Sequence, residues 1–199
     1  MGYNFSNLQG PLDQGDVRNF KMGWNAGVGM SIPMVPGLNF HPEIQLCMRG
    51  TSQTYKFFSV DLLDSSETNI TRKSNVSFYY LDIPLAFEYG FSSNFKLLAG
   101  PYVGWLTAVN IDDEFTEVIS TEDGRISSTR SFSENLVSSI PFFEFDAGVV
   151  FGFLLNTEKN FQFGVRFNKG FQDVTRTNYD YGKGLDSNIS FQMLLGWIF

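Results

Sequence analysis

The sequence predicts an eight-stranded antiparallel transmembrane β-barrel, with short periplasmic turns at one rim and long extracellular loops at the other. Apolar and polar residues alternate with a period of two along most of the chain, the pattern of strands with one apolar face. Aromatic residues make up 17% of the 199 residues and 19 residues are Gly, which is typical of all-β chains with many turns. The connections are alternately long and short, as in outer-membrane barrels.

No shift in composition marks a second domain, so we expect residues 1–199 to form one barrel domain whose first strand is incomplete at its N-terminus. The net charge of −7 argues against a nucleic-acid partner, which requires a basic surface. Cys47 is the single cysteine, so an intrachain disulfide is excluded.

The clearest alternation lies in the second predicted strand, 18–32. Phe20, Met22 and Trp24 point to one side, whereas Lys21 and the residues that alternate with them point to the other. A helix would scatter these residues around its circumference, so the pattern favours a strand. The eight predicted strands are 1–6, 18–32, 38–49, 76–89, 95–107, 140–155, 161–171 and 187–199.

The last predicted strand closes the barrel by pairing with the first strand and with 161–171, so that no edge stays open in lipid. The first strand, 1–6, is shorter than the roughly 9 to 11 residues that span a bilayer. We therefore expect an incomplete seam there, with either further residues before Met1 or another element covering the edge. The closing strand presents an apolar outer row of Ile189, Phe191, Met193 and Leu195.

Three connections are predicted as short turns, 33–37, 91–94 and 156–160, and four as long loops, 7–17, 50–75, 108–139 and 172–186. Loop 108–139 is acidic, and its carboxylates are candidate oxygen ligands for calcium, although their spacing lacks the regularity of an EF-hand. Solvated negative charge is the alternative reading. The acidic residues are Asp112, Asp113, Glu114, Glu117, Glu122, Asp123 and Glu134.

Several segments resemble a known family. GYNFSNL near the start, YLDIPLAFEY at 80–89, LLAGPYVGWL at 97–106 and the alternating terminal strand are similar to small outer-membrane β-barrel proteins of the Bacteroidota, the group that includes PorT-type proteins. The resemblance covers almost the whole chain. It implies an outer-membrane location and transfers no catalytic residues.

Alternation also predicts a charged barrel interior. Because buried charges persist only when they are paired and hydrogen-bonded, we expect a structural network, with ion conduction or a proton relay as alternatives. An eight-stranded barrel leaves just enough room for such side chains. The predicted network comprises Lys21, Glu43, Arg49, Asp82, Glu88, Lys96, Glu144, Asp146 and Arg166.

Aromatic residues on the outward faces are expected at the membrane interfaces. These residues are Trp24, Tyr79, Tyr89, Trp105, Trp197 and Phe199. His41 is the only histidine and has Glu43 two residues on, but we expect a satisfied interior histidine rather than a catalytic one.

The sequence thus predicts a non-enzymatic outer-membrane scaffold or accessory subunit, without cofactor or metal, that contacts outer-membrane lipid and another envelope protein. One alternative is a component of a protein secretion or outer-membrane transport machinery. A second is a soluble ligand-binding barrel of the lipocalin type, which would place apolar residues inside and polar residues outside.

Overall fold

The segments in which apolar and polar residues alternate form a sheet of ten antiparallel strands in the computed structural model. The structure describes residues 1–10, 16–60, 67–92, 94–121, 124–136, 144–173 and 186–199. No helix among these residues is long and apolar enough to cross a membrane. The strands are β1 (Gly2–Gln9), β2 (Val17–Gly29), β3 (Ile32–Val35), β4 (Leu38–Val60), β5 (Glu67–Gly90), β6 (Phe95–Thr121), β7 (Gly124–Leu136), β8 (Phe145–Asn156), β9 (Phe161–Gly170) and β10 (Ser187–Trp197).

Eight of the ten strands close into a ring, in the order β1, β2, β4, β5, β6, β8, β9, β10 and back to β1. The predicted fold class, an all-β antiparallel barrel, is confirmed. The strand count is ten rather than eight because β3 and β7 are additional. Within the described ranges, β3 pairs with β4 and β7 pairs with β6.

The predicted turn 33–37 is wrong in its first half. Pro33 lies in β3, opposite Asn39 of β4, so β3 carries on the hairpin after β2 ends at Gly29. The turn narrows to Pro36 and Gly37, and Gly37 has a φ of +81°, a conformation that a residue without Cβ adopts readily.

The seam between the two ends of the chain is formed by β1 and β10. β1 extends to Gln9, although the sequence assigns residues 7–9 to a loop. Its eight residues pair with Ser187 to Leu194 of β10. Met1 and Leu195 add two backbone hydrogen bonds of 2.8 and 2.9 Å. β10 is thus paired on one side with β1 and on the other with β9.

Two predicted long loops, 50–75 and 108–139, are largely strand. β4 continues to Val60 and β5 starts at Glu67, while β6 continues to Thr121 and then pairs with β7. These stretches carry polar residues on both faces, so they lack the continuous apolar row that marks the other strands. Residues 11–15, 61–66, 122, 123, 137–139 and 174–185 of the predicted loops, residue 93 of the predicted turn 91–94 and residues 140–143 of the predicted strand 140–155 lie outside the described residues.

The outer face of the ring is apolar and the inner face is polar. Phe151, Phe163 and Met193 are 55%, 49% and 59% exposed, whereas Arg49, Asp82 and Asp146 are almost completely buried. A surface with this many exposed aromatic residues is stable in hydrocarbon and not in water. The soluble lipocalin alternative is therefore wrong, because its apolar face would line the interior.

Candidate functional site

The middle of the lumen holds a charged layer centred on Arg49. Its guanidinium forms ion pairs with Asp82 of the neighbouring strand β5 and with Asp146 of β8, the latter over 3.0 Å between Nη1 and Oδ2. β8 is three strands away from β4 in the ring, so the pair between Arg49 and Asp146 crosses the lumen. These side chains are at most 2% exposed, and their charges therefore depend on one another.

Neutral groups complete the charged layer. Tyr102 of β6 donates its hydroxyl to Asp146 Oδ2 over 2.9 Å, and Asn188 of β10 donates to the same atom over 3.0 Å. Asn188 also donates to the Tyr80 hydroxyl, and Cys47 Sγ lies 3.0 Å from Asp82 Oδ2. The layer thus ties five of the eight ring strands together.

Aromatic rings flank the guanidinium of Arg49 in this layer. The rings of Tyr80 and Tyr102 lie with their centroids 5.1 and 5.2 Å from its central carbon. An Arg cation at this distance from a ring face is attracted by the ring quadrupole, more strongly when it is desolvated.

A second group of charges lies nearer the short-turn rim. Lys96 pairs with Glu88 over 2.6 Å, and His41 lies 3.3 Å from Glu88 and 2.8 Å from Glu43. Both terminal nitrogens of Arg166 donate to the Glu43 carboxylate, Nη1 to Oε2 over 2.7 Å and Nη2 to Oε1. β9, which carries Arg166, is diametrically opposite β4 in the ring, so this pair is a second strut across the lumen.

A cavity of about 930 Å³ lies at this end of the barrel. Its wall includes the five charged or titratable side chains of the second group together with Gln45 and Gln162. Because the carboxylates of the group already hold cationic partners, the wall offers balanced charge and no concentrated field of one sign.

An apolar cluster lies on the other side of the charged layer, next to buried polar side chains such as Thr51 and Ser77. Leu8, Phe78, Leu106 and Val109 are buried in one cluster with Cys47 and Tyr80, and Val76 and Ile111 pack against it. These side chains come from β1, β4, β5 and β6. Apolar side chains in the lumen disfavour the passage of ions, because they offer no hydrogen-bond partner.

Seven of the nine predicted network residues lie in the two charged groups, namely Glu43, Arg49, Asp82, Glu88, Lys96, Asp146 and Arg166. The other two are placed differently. Lys21 donates to Ser77 Oγ over 2.7 Å, and Glu144 is exposed just ahead of β8. Alternation over the predicted strand 140–155 places Glu144 inside, whereas β8 begins at Phe145, one residue after Glu144.

Sequence reasoning missed the roles of Tyr102 and Asn188. Both occupy inward positions of their strands, so the alternation alone could have placed them in the lumen. The expectation for His41 was an interior histidine with satisfied polar contacts, and His41 lies between two carboxylates.

Four of the predicted interface aromatics lie near the rims of the eight-stranded ring. Tyr89 packs edge-on against Phe91, with ring centroids 5.1 Å apart, at the short-turn rim. Trp197 contacts Phe161 at the same rim, with centroids 4.6 Å apart, and Phe199 is fully exposed at the end of the chain. Trp105 packs against Phe145 at the opposite rim.

Two of the predicted interface aromatics differ from these four. Trp24 lies within β2 rather than at its end, and Tyr79 is half-buried, next to a register shift between β5 and β6.

The acidic segment gives no calcium site in the part of the chain that the structure describes. No group of three or more His, Cys, Asp or Glu side chains is arranged there to hold a metal ion. Asp112, Asp113, Glu114 and Glu117 lie along β6, where alternation separates neighbours onto opposite faces. Asp113 instead pairs with Arg72 of β5 over 2.6 Å.

Comparison with known proteins matches residues 1–176 to the family described as outer membrane protein beta-barrel domain. No curated protein matches the chain. Similar solved structures include Ail, the attachment invasion locus protein of Yersinia pestis, in complex with the heparin analogue sucrose octasulfate. Ail is 11% identical to this chain, the match covers 98% of this chain and 93% of Ail, and the TM-score is 0.30. Two Acinetobacter baumannii proteins are also similar. CarO is 12% identical to this chain, the match covers 96% of this chain and 97% of CarO, and the TM-score is 0.31. CarO2 is 12% identical, the match covers 98% of each chain, and the TM-score is 0.33.

Proposed function

Because the chain belongs to the outer membrane protein beta-barrel domain family and is an outer-membrane protein, we propose that it acts there as a non-enzymatic scaffold or accessory subunit of another envelope protein complex. The narrower assignment to PorT-type proteins of the Bacteroidota is part of this proposal and rests on the sequence segments alone.

The filled lumen is the observation that carries the proposal. Two struts, Arg49 to Asp146 and Arg166 to Glu43, join opposite walls, and the apolar cluster around Phe78 lies beyond them. A solute that crossed the barrel would have to break buried ion pairs, which costs several kcal/mol for each. This arrangement favours a structural role over a general porin.

The extended hairpins offer a contact surface for a partner. β4, β5 and β6 run far beyond the residues that pair around the ring, and β7 is added to β6 there. Phe57, Phe58 and Ile126 are 57%, 62% and 67% exposed on this extension. Exposed apolar side chains amid polar strands are typical of protein contacts.

Co-purification from native membranes tests the role directly. We expect the wild-type chain to retain one envelope protein that a double variant, Phe57→Ser with Phe58→Ser, loses. The matched control is Phe91→Ser, which changes an equally exposed Phe at the opposite rim and should retain the partner. An identical set of retained proteins for all three chains would contradict the use of this surface.

A chain that retains no partner in any form would contradict the scaffold role itself. Deletion of the gene separates the remaining alternative, since loss of secreted cargo would favour the secretion or transport machinery, whereas unchanged secretion would remove that reading.

A further inference from the structure

Three prolines lie inside neighbouring strands of the barrel wall. Pro42 is in β4, Pro84 in β5 and Pro101 in β6, and each of these strands is paired on both sides. Proline has no N–H to donate and is usually confined to edge strands or strand ends. The last two belong to the IPL and AGPYVG segments that mark the family resemblance, and neither contributes to the charged interior.

Backbone hydrogen bonds nearby show which neighbouring strand the nitrogen of each proline faces. Met30 N donates to Pro42 O over 3.2 Å, so Pro42 faces β2. Gly90 N, at the end of β5, donates over 2.9 Å to Gly37 O in the turn that leads into β4, so Gly90 faces β4. Residues an even number apart in a strand face the same neighbour, so Pro84 faces β4.

The same rule orients Pro101. Leu106 N donates over 2.7 Å to Glu144 O, just ahead of β8, so the even-numbered residues of this part of β6 face β8. Pro101, an odd-numbered residue, therefore faces β5. The three prolines thus remove one donor each from three successive interfaces, β2 with β4, β4 with β5, and β5 with β6.

The pairing is interrupted at the last two of these positions. The register of β4 with β5 passes from Pro42 opposite Leu85 directly to Gln45 opposite Asp82. The register of β5 with β6 omits Leu85 and Ala86. At the second gap the strands touch closely, because a Cβ on Gly100 would lie 2.5 Å from the Ala86 Cα.

The opposite side of the barrel has continuous pairing. β6 pairs with β8 without a gap from Phe95 opposite Leu155 to Trp105 opposite Phe145. The registers of β8 with β9, β9 with β10 and β10 with β1 are also unbroken. One barrel therefore has a continuous half and an interrupted half.

We propose that the barrel wall opens locally at Pro42, Pro84 and Pro101, here called the proline row. At this row β4, β5 and β6 separate from one another, while the side formed by β8, β9 and β10 stays closed. Local opening requires less free energy where backbone hydrogen bonds are already missing. The bilayer core supplies no water to replace those bonds, so the missing donors weaken the wall at this row, in the same half that carries the register shifts between Phe20 and Asn25 and between Tyr79 and Tyr80. The inference does not depend on the proposed scaffold role.

Hydrogen exchange of the full chain, reconstituted in lipid, tests the proposal. Amides of the non-proline residues in 83–87 and 98–103 should exchange on the order of tenfold faster than those of 149–153 and 190–194, since one missing hydrogen bond accounts for about that factor. Equal protection of the two halves would overturn the proposal. This comparison is made within one wild-type molecule and needs no variant.

A double variant, Pro84→Val with Pro101→Val, tests the cause. It supplies both missing donors and should slow exchange at 83–87 and 98–103 by on the order of tenfold. Pro33→Val, which changes a proline of β3 outside the row, is the matched control and should leave both segments unchanged. Unchanged exchange in the folded double variant would overturn the assignment to the prolines. If that variant does not fold, the wild-type comparison decides.

Discussion

At the scale of single residues, the interior of the barrel depends on Arg49. Its guanidinium pairs with both Asp82 and Asp146, and no other cation among the described residues forms an ion pair with either carboxylate. Asp82 and Asp146 each have one further oxygen, Oδ1, that is buried and accepts no hydrogen bond from the residues that the structure describes. Removing the cation would therefore leave uncompensated charge in a closed space, which is among the most destabilising changes a barrel can undergo.

We expect Arg49→Met to lower the free energy of unfolding by roughly 3–5 kcal/mol, because it breaks a buried ion-pair group while keeping side-chain volume. Urea unfolding in detergent micelles, followed by tryptophan fluorescence, measures this change. Lys21→Met is the control, since Lys21 is only half-buried and donates to Ser77. Similar losses for the two variants would contradict the central place given to Arg49.

Glycine at position 170 makes room for the charged layer. A Cβ there would lie 2.6 Å from Asp146 Oδ1 and 3.1 Å from the Tyr102 hydroxyl. Gly170→Ala should therefore destabilise the barrel by about 1–3 kcal/mol through overpacking. Gly196→Ala provides the comparison, because its nearest neighbour would be 3.6 Å away. The same unfolding assay should show almost no effect for it, and equal effects would argue against a tightly filled layer.

At the scale of strands, alternation predicted the ring strands but not their full lengths. The second half of β4 and of β6 carries polar residues on both faces, so period two is present without the apolar row that makes it visible. The sequence predicts Pro33 as a turn residue because proline interrupts strand ladders, whereas a strand end accommodates it. The residues that cross-link the interior were predictable as inward-facing, whereas their partners depend on strand registers that no local pattern contains.

The outer row of β10 gives a test of the lipid-facing assignment. Phe191→Arg places a charge on the apolar outer wall and should cost about 2–4 kcal/mol near the middle of the bilayer. Phe58→Arg, on the extended part of β4, should cost little because Phe58 lies beyond the ring pairings. The yield of folded protein in lipid vesicles, measured at increasing urea concentrations, distinguishes the two variants. A tolerated arginine at 191 would contradict contact of this row with hydrocarbon.

At the scale of the whole molecule, ring closure and interior filling act together. The closed ring satisfies the strand edges at its seam, as the bilayer requires. The ion pairs from β4 to β8 and β9 hold the walls at a fixed separation, and the apolar cluster fills part of the lumen beyond them. The proline row makes one half of this wall softer than the other, without opening the lumen.

Conductance across a planar lipid bilayer measures the filled lumen most directly. With the wild-type chain inserted, we predict no sustained ion current above that of the bare bilayer, because both struts and the apolar cluster would have to part for ions to cross. A stable, stepwise current that scales with the amount of inserted protein would contradict the account.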